Sequence, residues 1–309
     1  MFRYVLNRIW QAIICMFVVV LVIFWLGRLM GDPVTLFVDD YSTAEEIAIM
    51  KTEMGLDEPI PVQFLVYLKD VFRGNLGESL YFYRPVTEVI LQRFPATLQL
   101  GGLASIVAVI IGLPLGIYAA VNRGRWSDTL ARVFAVLGQS APTFWLGLVL
   151  IFIFAVTLNI LPSGGRGGPQ YLILPAVTLG VFVSAGIMRI TRSSMLETLN
   201  TEYVKFARIK GVPEWLVIWK HALKNALLPI LTFSIILFVL ALSGSVVTET
   251  VFAWPGVGRL IYQSIRARDY PVVQGAVLLL SLMYISANFL VDILYGYLNP
   301  KIRFGVPGS

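Results

Sequence analysis

The sequence predicts an all-α integral membrane protein with six transmembrane helices. Only 14% of its 309 residues are charged, whereas a soluble domain has about 25%. The charged residues also cluster, and between the clusters lie six windows that contain no Asp, Glu, Lys or Arg. These windows are Ile9–Gly27, Phe94–Asn122, Val133–Gly165, Gly167–Met188, Asn225–Thr248 and Tyr270–Val291.

Each window is long enough to cross a bilayer as a helix, because about 20 apolar residues span ~30 Å of hydrocarbon. Backbone groups in lipid must pair within the protein, so the only alternative is a closed barrel. Barrel strands have about 10 residues of alternating polarity, and these windows are longer and apolar throughout. We expect the first window to be a retained helix, because the sequence after Arg28 lacks the small-residue cleavage site of a signal peptide.

Basic residues in the connecting segments predict the orientation. An even number of spans places both termini on the same side of the membrane. On that side lie 14 of the 24 basic residues, in the N-terminal stretch, the loop after the second window, the segment 189–224 and the C-terminal tail. By the positive-inside rule this side is the cytoplasm.

The segment Gly31–Arg93 is expected on the external side, and it carries eleven acidic residues against five basic ones. Helices are predicted for Ala44–Met54 and Val62–Phe72, with Gly55 as the C-terminal cap of the first. The segment is therefore predicted to be a small folded element. Packing over the membrane helices and docking of an external partner are both consistent with it.

The long cytoplasmic segment between the fourth and fifth windows has an amphipathic pattern. Tyr203, Phe206 and Ala207 occupy positions i, i+3 and i+4, which predicts that they share one face of a helix. Thr201 is a predicted N-cap for this helix. Gly211 is predicted to end it, because a left-handed backbone conformation is cheap only without a side chain.

A second helix is predicted to begin at Pro213 and to expose Trp215, Val217, Ile218 and Trp219. The predicted unit is a helix–turn–helix hairpin outside the bilayer. Two interpretations are open: an amphipathic hairpin that rests on lipid, or an element that docks in a groove of a partner protein. A DNA-binding hairpin is disfavoured because its two apolar faces have no basic stripe.

The sequence contains no phosphate-binding Gly-x-x-x-x-Gly-Lys loop and no Gly-x-Gly-x-x-Gly fingerprint. A single cysteine and a single histidine give no basis for a metal site. We therefore predict no catalytic residue, no metal site and no cofactor in this chain, and no nucleic-acid partner. If transport uses ATP, another chain must bind it.

The segment Glu202–Gly211, followed by His221–Pro229, resembles the EAA loop of ABC importer permeases, in the form found in the dipeptide/oligopeptide/nickel family. Further matches to that family follow in order over almost the whole chain. They are Gly31–Pro33, Gly55–Pro59, Arg192–Glu197, Glu249–Arg259, Arg268–Gly275 and Asn299–Arg303. One departure is Lys205-Phe206, where relatives often carry Arg-Thr.

The resemblance implies a permease subunit of a bacterial inner-membrane importer with the type I permease fold. It implies a second related permease chain, two ATP-binding subunits that hold ATP and Mg²⁺, and a periplasmic or extracellular substrate-binding protein. The lipid bilayer surrounds the permease chain itself. In this family the EAA loop docks on the ATPase subunit. The residues of this chain that match it are Glu202, Tyr203, Phe206, Ala207, Arg208, Gly211, Val212 and Trp215.

The predicted organisation has three parts. Residues 1–29 form the N-terminal region and first transmembrane helix, residues 30–93 an external helical insertion, and residues 94–309 the core permease domain. The core contains the coupling loop at about 195–228.

The function that the resemblance implies is ATP-driven import of di- and oligopeptides by alternating access. The alternative cargo within the family is a nickel chelate or another small solute. The alternative from a different class is a channel or structural membrane protein with a lipid-bound amphipathic hairpin.

Five residues are candidates for a translocation pathway. Pro142 is predicted to kink the third span, and the polar Gln139 and Ser140 lie beside it, as in interrupted helices that line pathways. Glu249, on the external side, would either meet a peptide's amino group or shape its loop. Asp292, near the inner end of the sixth span, is a candidate because of its charge, although a structural partner in the bundle is the favoured interpretation.

Overall fold

The computed structural model describes residues 2–29, 43–53 and 55–298. Within these ranges the chain is helical and forms no β-strand, apart from one isolated bridge between Glu78 and Pro85. The described α-helices are α1 (Phe2–Leu29), α2 (Ala44–Glu53), α3 (Ile60–Phe72), α4 (Val86–Val121), α5 (Trp126–Ser140), α6 (Thr143–Leu150), α7 (Gln170–Leu199), α8 (Glu202–Ile209), α9 (Glu214–Leu216), α10 (Lys224–Val251), α11 (Val257–Arg266) and α12 (Tyr270–Leu298).

Five of the six predicted spans are present as continuous helices. Among the described residues, α1, α4, α7, the continuous α9–α10 and α12 are long and apolar enough to cross a membrane. The α9 segment passes into α10 through wide π-helical turns at Val217–Leu223. The predicted second helix of the cytoplasmic segment is therefore the start of the fifth span, not a separate element.

The third span differs most from its prediction. It consists of α5 and α6 with a 101° bend between them, and α6 continues as a π-helical segment, Ile151–Thr157. The kink predicted at Pro142 is confirmed, but it is a complete break, because Pro142 lies outside both helices in an extended conformation (ψ 134°). In addition, α5 begins at Trp126, before the predicted start at Val133.

The charged start of α5 is tolerated because Asp128 has a partner in another span. Arg192 of α7 donates two hydrogen bonds to the buried Asp128 carboxylate, Nε to Oδ1 at 2.7 Å and Nη2 to Oδ2 at 2.9 Å. The amide of Gly124 donates to the same carboxylate. Paired charges of this kind can be buried at an acceptable free energy. The charge-free windows therefore began α5 too late and ended α7 too early.

The centre of the bundle is the contact between α4 and α7, which is the most extensive between any two described helices. Small residues bring the two helices together, as expected for packing in lipid. A Cβ atom on Gly116 would lie 2.6 Å from the Cβ of Thr191, and one on Gly112 would lie 2.6 Å from the carbonyl oxygen of Ser184. The helices α5, α10 and α12 pack around this pair.

The external insertion packs against the first span. Helices α2 and α3 confirm the two predicted helices, and Gly55 has the expected positive φ of 64°. The ring of Phe64 in α3 lies 5.3 Å from the ring of Phe24 in α1, in an edge-on arrangement. These contacts support the packing interpretation of this segment. Helix α4 begins at Val86, so the predicted boundary at residues 93 and 94 falls inside a continuous helix.

Candidate functional site: the cytoplasmic hairpin and the external cap

The cytoplasmic hairpin, residues 202–223, is closed by a glycine turn. Gly211 has a φ of 78°, its amide donates to the carbonyl of Arg208, and the amide of Val212 donates to the carbonyl of Ala207. These two bonds define a Schellman end to α8. Pro213 then precedes α9 with an extended conformation. Thr201 is the N-cap residue as predicted, but its hydroxyl donates to the carbonyl of Thr198 and makes no capping bond.

One face of the hairpin is built into the bundle. Val204 and Ala207 of α8 and Val217 in the second arm are buried. They belong to one apolar cluster with residues at the cytoplasmic ends of α4 and α7, Ile117 and Met195 among them. A displacement of the hairpin therefore acts directly on two central helices, because close-packed side chains transmit movement.

The opposite face of the hairpin exposes large apolar side chains. These are Tyr203, Phe206, Ile209, Trp215 and Trp219. The predicted common face of Tyr203, Phe206 and Ala207 is wrong, because Ala207 points into the bundle while the two aromatic residues point outward. Similarly, Val217 is buried and Ile218 is half-buried, whereas both tryptophans are exposed as predicted.

The charged residues of the hairpin stabilise its turn. Arg208 donates two hydrogen bonds to the carboxylate of Glu214, at 3.1 and 2.7 Å, across the turn at Gly211. This hydrogen bonding raises the pKa of the Arg208 guanidinium above its usual range. Because the pair is exposed, its contribution to stability is small. Within α8, Lys205 forms a single ion-pair contact of 2.8 Å with Glu202.

The external cap, residues 249–269, comprises the outer end of α10, a loop and α11. Its centre is Glu249, a fully buried residue. The hydroxyls of Thr97 and Ser245 lie 2.8 and 2.9 Å from its Oε1. The amide of Arg259 donates to its Oε2 at 2.9 Å, in the first turn of α11. Of the two roles considered for Glu249, these contacts correspond to the shaping of the loop.

Two further residues of the external cap, Trp254 and Asp269, are also buried. Trp254 is only 2% exposed, and its indole nitrogen donates to the carbonyl of Ala96 in α4. At the other end of α11, the buried Asp269 accepts a hydrogen bond from the Ser79 hydroxyl at 2.5 Å and one from the Leu80 amide at 3.2 Å. Helix α11 is therefore fixed at both ends by buried carboxyl groups.

The remaining pathway candidates lie apart from the external cap. Gln139, Ser140 and Pro142 are exposed at the bend between α5 and α6. Asp292 of α12 forms an ion pair with Arg8 of α1, at 3.2 Å. That contact agrees with the favoured interpretation of Asp292, a charged residue with a structural partner in the bundle. The structure thus separates the five residues among three places instead of bringing them together.

The sequence analysis missed two features, a buried Asp–Arg ion pair and a polar helix face. The Asp128–Arg192 pair has a separation of 64 residues, and no local pattern signals it. The polar face of α11 had a signal, since Arg259, Tyr262, Gln263 and Arg266 occupy positions i, i+3, i+4 and i+7.

Sequence comparisons identify this helical bundle, with its cytoplasmic hairpin and external cap, as an ABC importer permease, a transport subunit and not an enzyme. Residues 112–304 match the family "Binding-protein-dependent transport system inner membrane component", and residues 1–101 match its N-terminal companion family. The chain belongs to this family and is a multi-pass protein of the bacterial inner membrane.

Relatives with the same length are known. Over 305 residues, 98% of this chain and 100% of the relative, the sequence is 44% identical to the glutathione transport system permease protein GsiC of Salmonella typhimurium. It is 43% identical to the GsiC protein of Escherichia coli strain K12 over the same share of both chains. This chain is therefore a permease of the dipeptide/oligopeptide group.

Solved structures confirm the type I permease fold. An inward-facing MetNI methionine ABC transporter matches with a TM-score of 0.60 at 20% identity, covering 68% of this chain and 96% of that one. An amino acid ABC transporter crystallised with histidines matches with a TM-score of 0.55 at 16% identity, covering 68% and 94%. At these identities the likeness concerns the fold alone.

Proposed function

We propose that this permease imports short peptides, with glutathione as the first cargo to test. The observation that carries the proposal is the identity of 44% to a glutathione permease over 98% of the chain and the whole of that relative. An alignment of this extent includes both the helices that enclose a pathway and the loops at its two mouths. Within the proposal, the chain pairs with a second permease chain and receives cargo from a substrate-binding protein.

The cytoplasmic hairpin is proposed as the contact with the ATP-binding subunits, which would hold ATP and Mg²⁺. Its exposed apolar face, with Phe206 at 57% and Trp215 at 63% exposed, has the character of an interface centre. Its buried face contacts α4 and α7. A subunit bound to the outer face would therefore move the cytoplasmic ends of both helices. That movement would open the pathway alternately to the outside and to the cytoplasm.

The experiment is uptake of labelled glutathione and of a labelled neutral dipeptide by cells that lack this gene. Uptake should return when the gene is restored and should be lost again when the ATPase genes are deleted. Uptake that persists without the ATPase subunits would instead identify a channel. If the uptake of neither peptide depends on the gene, nickel accumulation measured in the same strains tests the alternative cargo.

A further inference from the structure

The face of α11 that points away from the bundle lines an external cavity of about 660 Å³. Arg259, Tyr262, Gln263 and Arg266 contribute from α11, because the spacing i, i+3, i+4, i+7 places them on one side. The buried residues Val257, Leu260 and Ser264 occupy the other side. Arg93 of α4 and the aromatic pair Tyr81 and Phe82 complete the wall.

The cavity is strongly cationic. Its lining includes three arginines, Arg93, Arg259 and Arg266, and no carboxylate. Among the residues that the structure describes, none of the three guanidinium groups forms an ion pair with an acid. The nearby acids Glu249 and Asp269 are buried and accept hydrogen bonds from backbone amides and hydroxyls.

Three arginines at an external cavity run against the charge rule for membrane proteins, which concentrates basic residues in the cytoplasm. The orientation of the chain in the membrane therefore does not explain why these arginines lie on the external side. A guanidinium group presents paired donors that fit a carboxylate, and it does so best when it is held in place. Here α11 is fixed by the Glu249 and Asp269 contacts, and the Arg259 guanidinium donates to the carbonyl of Ala253.

We propose that this arginine pocket binds the carboxylates of an anionic peptide cargo on its way into the pathway. The inference rests on the proposed function and adds a charge preference to it. The cavity volume falls in the range that holds a small ligand. Its aromatic rim supplies apolar contact for side chains. A peptide with two carboxylates, such as glutathione, would engage more than one arginine, whereas a peptide with one blocked carboxylate would lose a contact.

The test compares two cargoes, glutathione and its diamide, in which both carboxylates are blocked, in cells that carry the complete transporter. The measured quantity is the initial uptake rate of glutathione divided by that of the amidated cargo. The preference of the binding protein is the same for all variants and therefore cancels when their ratios are compared. Arg266→Gln and, separately, Arg93→Gln should lower this ratio about tenfold, as expected for the loss of a charged hydrogen-bonded contact. Arg266→Lys should retain part of the ratio.

The matched control is Arg268→Gln, since Arg268 is an exposed arginine that does not line the pocket. It should leave the ratio unchanged. An unchanged ratio in both pocket variants would overturn the inference. An equal fall for both cargoes would also overturn it, because it would indicate docking of an acidic protein surface instead. Wild-type cells that take up neither peptide would remove the proposed function itself, and the two failures are therefore distinguishable.

Discussion

The external cap and the cytoplasmic hairpin differ in the exposure of their tryptophans. At the external end Trp254 is 2% exposed and bonded to α4, whereas at the cytoplasmic end Trp215 and Trp219 are more than half exposed. The buried core of the external cap is formed within this one chain. The hairpin is packed only on its inner face, and its outer face is exposed in this chain. Substitutions should therefore affect folding at the external cap and assembly at the hairpin.

The largest loss of stability is expected for Glu249→Ala. It leaves the Arg259 amide and the Thr97 and Ser245 hydroxyls without their buried acceptor, which should cost roughly 3 kcal/mol of unfolding free energy. The measurement is the thermal unfolding midpoint of the detergent-purified transporter. Glu88→Ala, which removes an exposed acid, is the matched control. Equal midpoints for the two variants would contradict the structural role of Glu249.

A smaller loss is expected for Gly258→Ala, also in the external cap. The added Cβ would lie 2.6 Å from the backbone Cα of Val246, so the two helices must separate, at roughly 1–3 kcal/mol. Gly102→Ala is the control, because open space surrounds a Cβ atom at that position in α4. The same unfolding assay should show a lower midpoint for the first variant only. A tolerated alanine at position 258 would mean that α10 and α11 are not closely packed.

The smallest effect on stability, but a clear effect on coupling, is expected for Gly211→Val. A β-branched residue at φ 78° costs about 1–2 kcal/mol locally, although no neighbour would touch its Cβ. We expect insertion of the spans to persist while cargo-stimulated ATP hydrolysis by the complex falls. Gly211→Asn should behave like wild type, since asparagine tolerates this conformation. Normal coupling in the valine variant would remove the role assigned to this turn.

The spans could be predicted because apolar length is a local property of the sequence. Two of the misplaced helix boundaries involve a charge that is paired across the bundle, and a charge paired in this way does not end a helix. Asp128 and Arg192 illustrate this, since each falls inside a helix that the charge-free windows had cut short. The sequence separation of such a pair leaves no local signal.

The hairpin was predictable as an element but not in its orientation. The spacing of Tyr203, Phe206 and Ala207 groups neighbouring positions on a helix, yet it does not say which edge of that group faces the bundle. In the structure the face that carries Val204 and Ala207 is turned toward the bundle, where both residues pack in the apolar cluster. The role of Glu249 could not be predicted either, since its hydrogen-bond partner Thr97 lies 152 residues away in the sequence.

The proposed function requires the ATPase subunit to cover the outer face of the hairpin. Cys15 is the only cysteine in the chain, so Cys15→Ala provides a background for single-cysteine labelling. In that background, Phe206→Cys should react with a membrane-impermeant maleimide in inside-out vesicles when the permease is expressed without the ATPase subunits. The same cysteine should be protected when they are co-expressed, whereas Arg125→Cys, on another exposed cytoplasmic segment, should react in both cases. Equal labelling of Phe206→Cys with and without the ATPase subunits would contradict the claim.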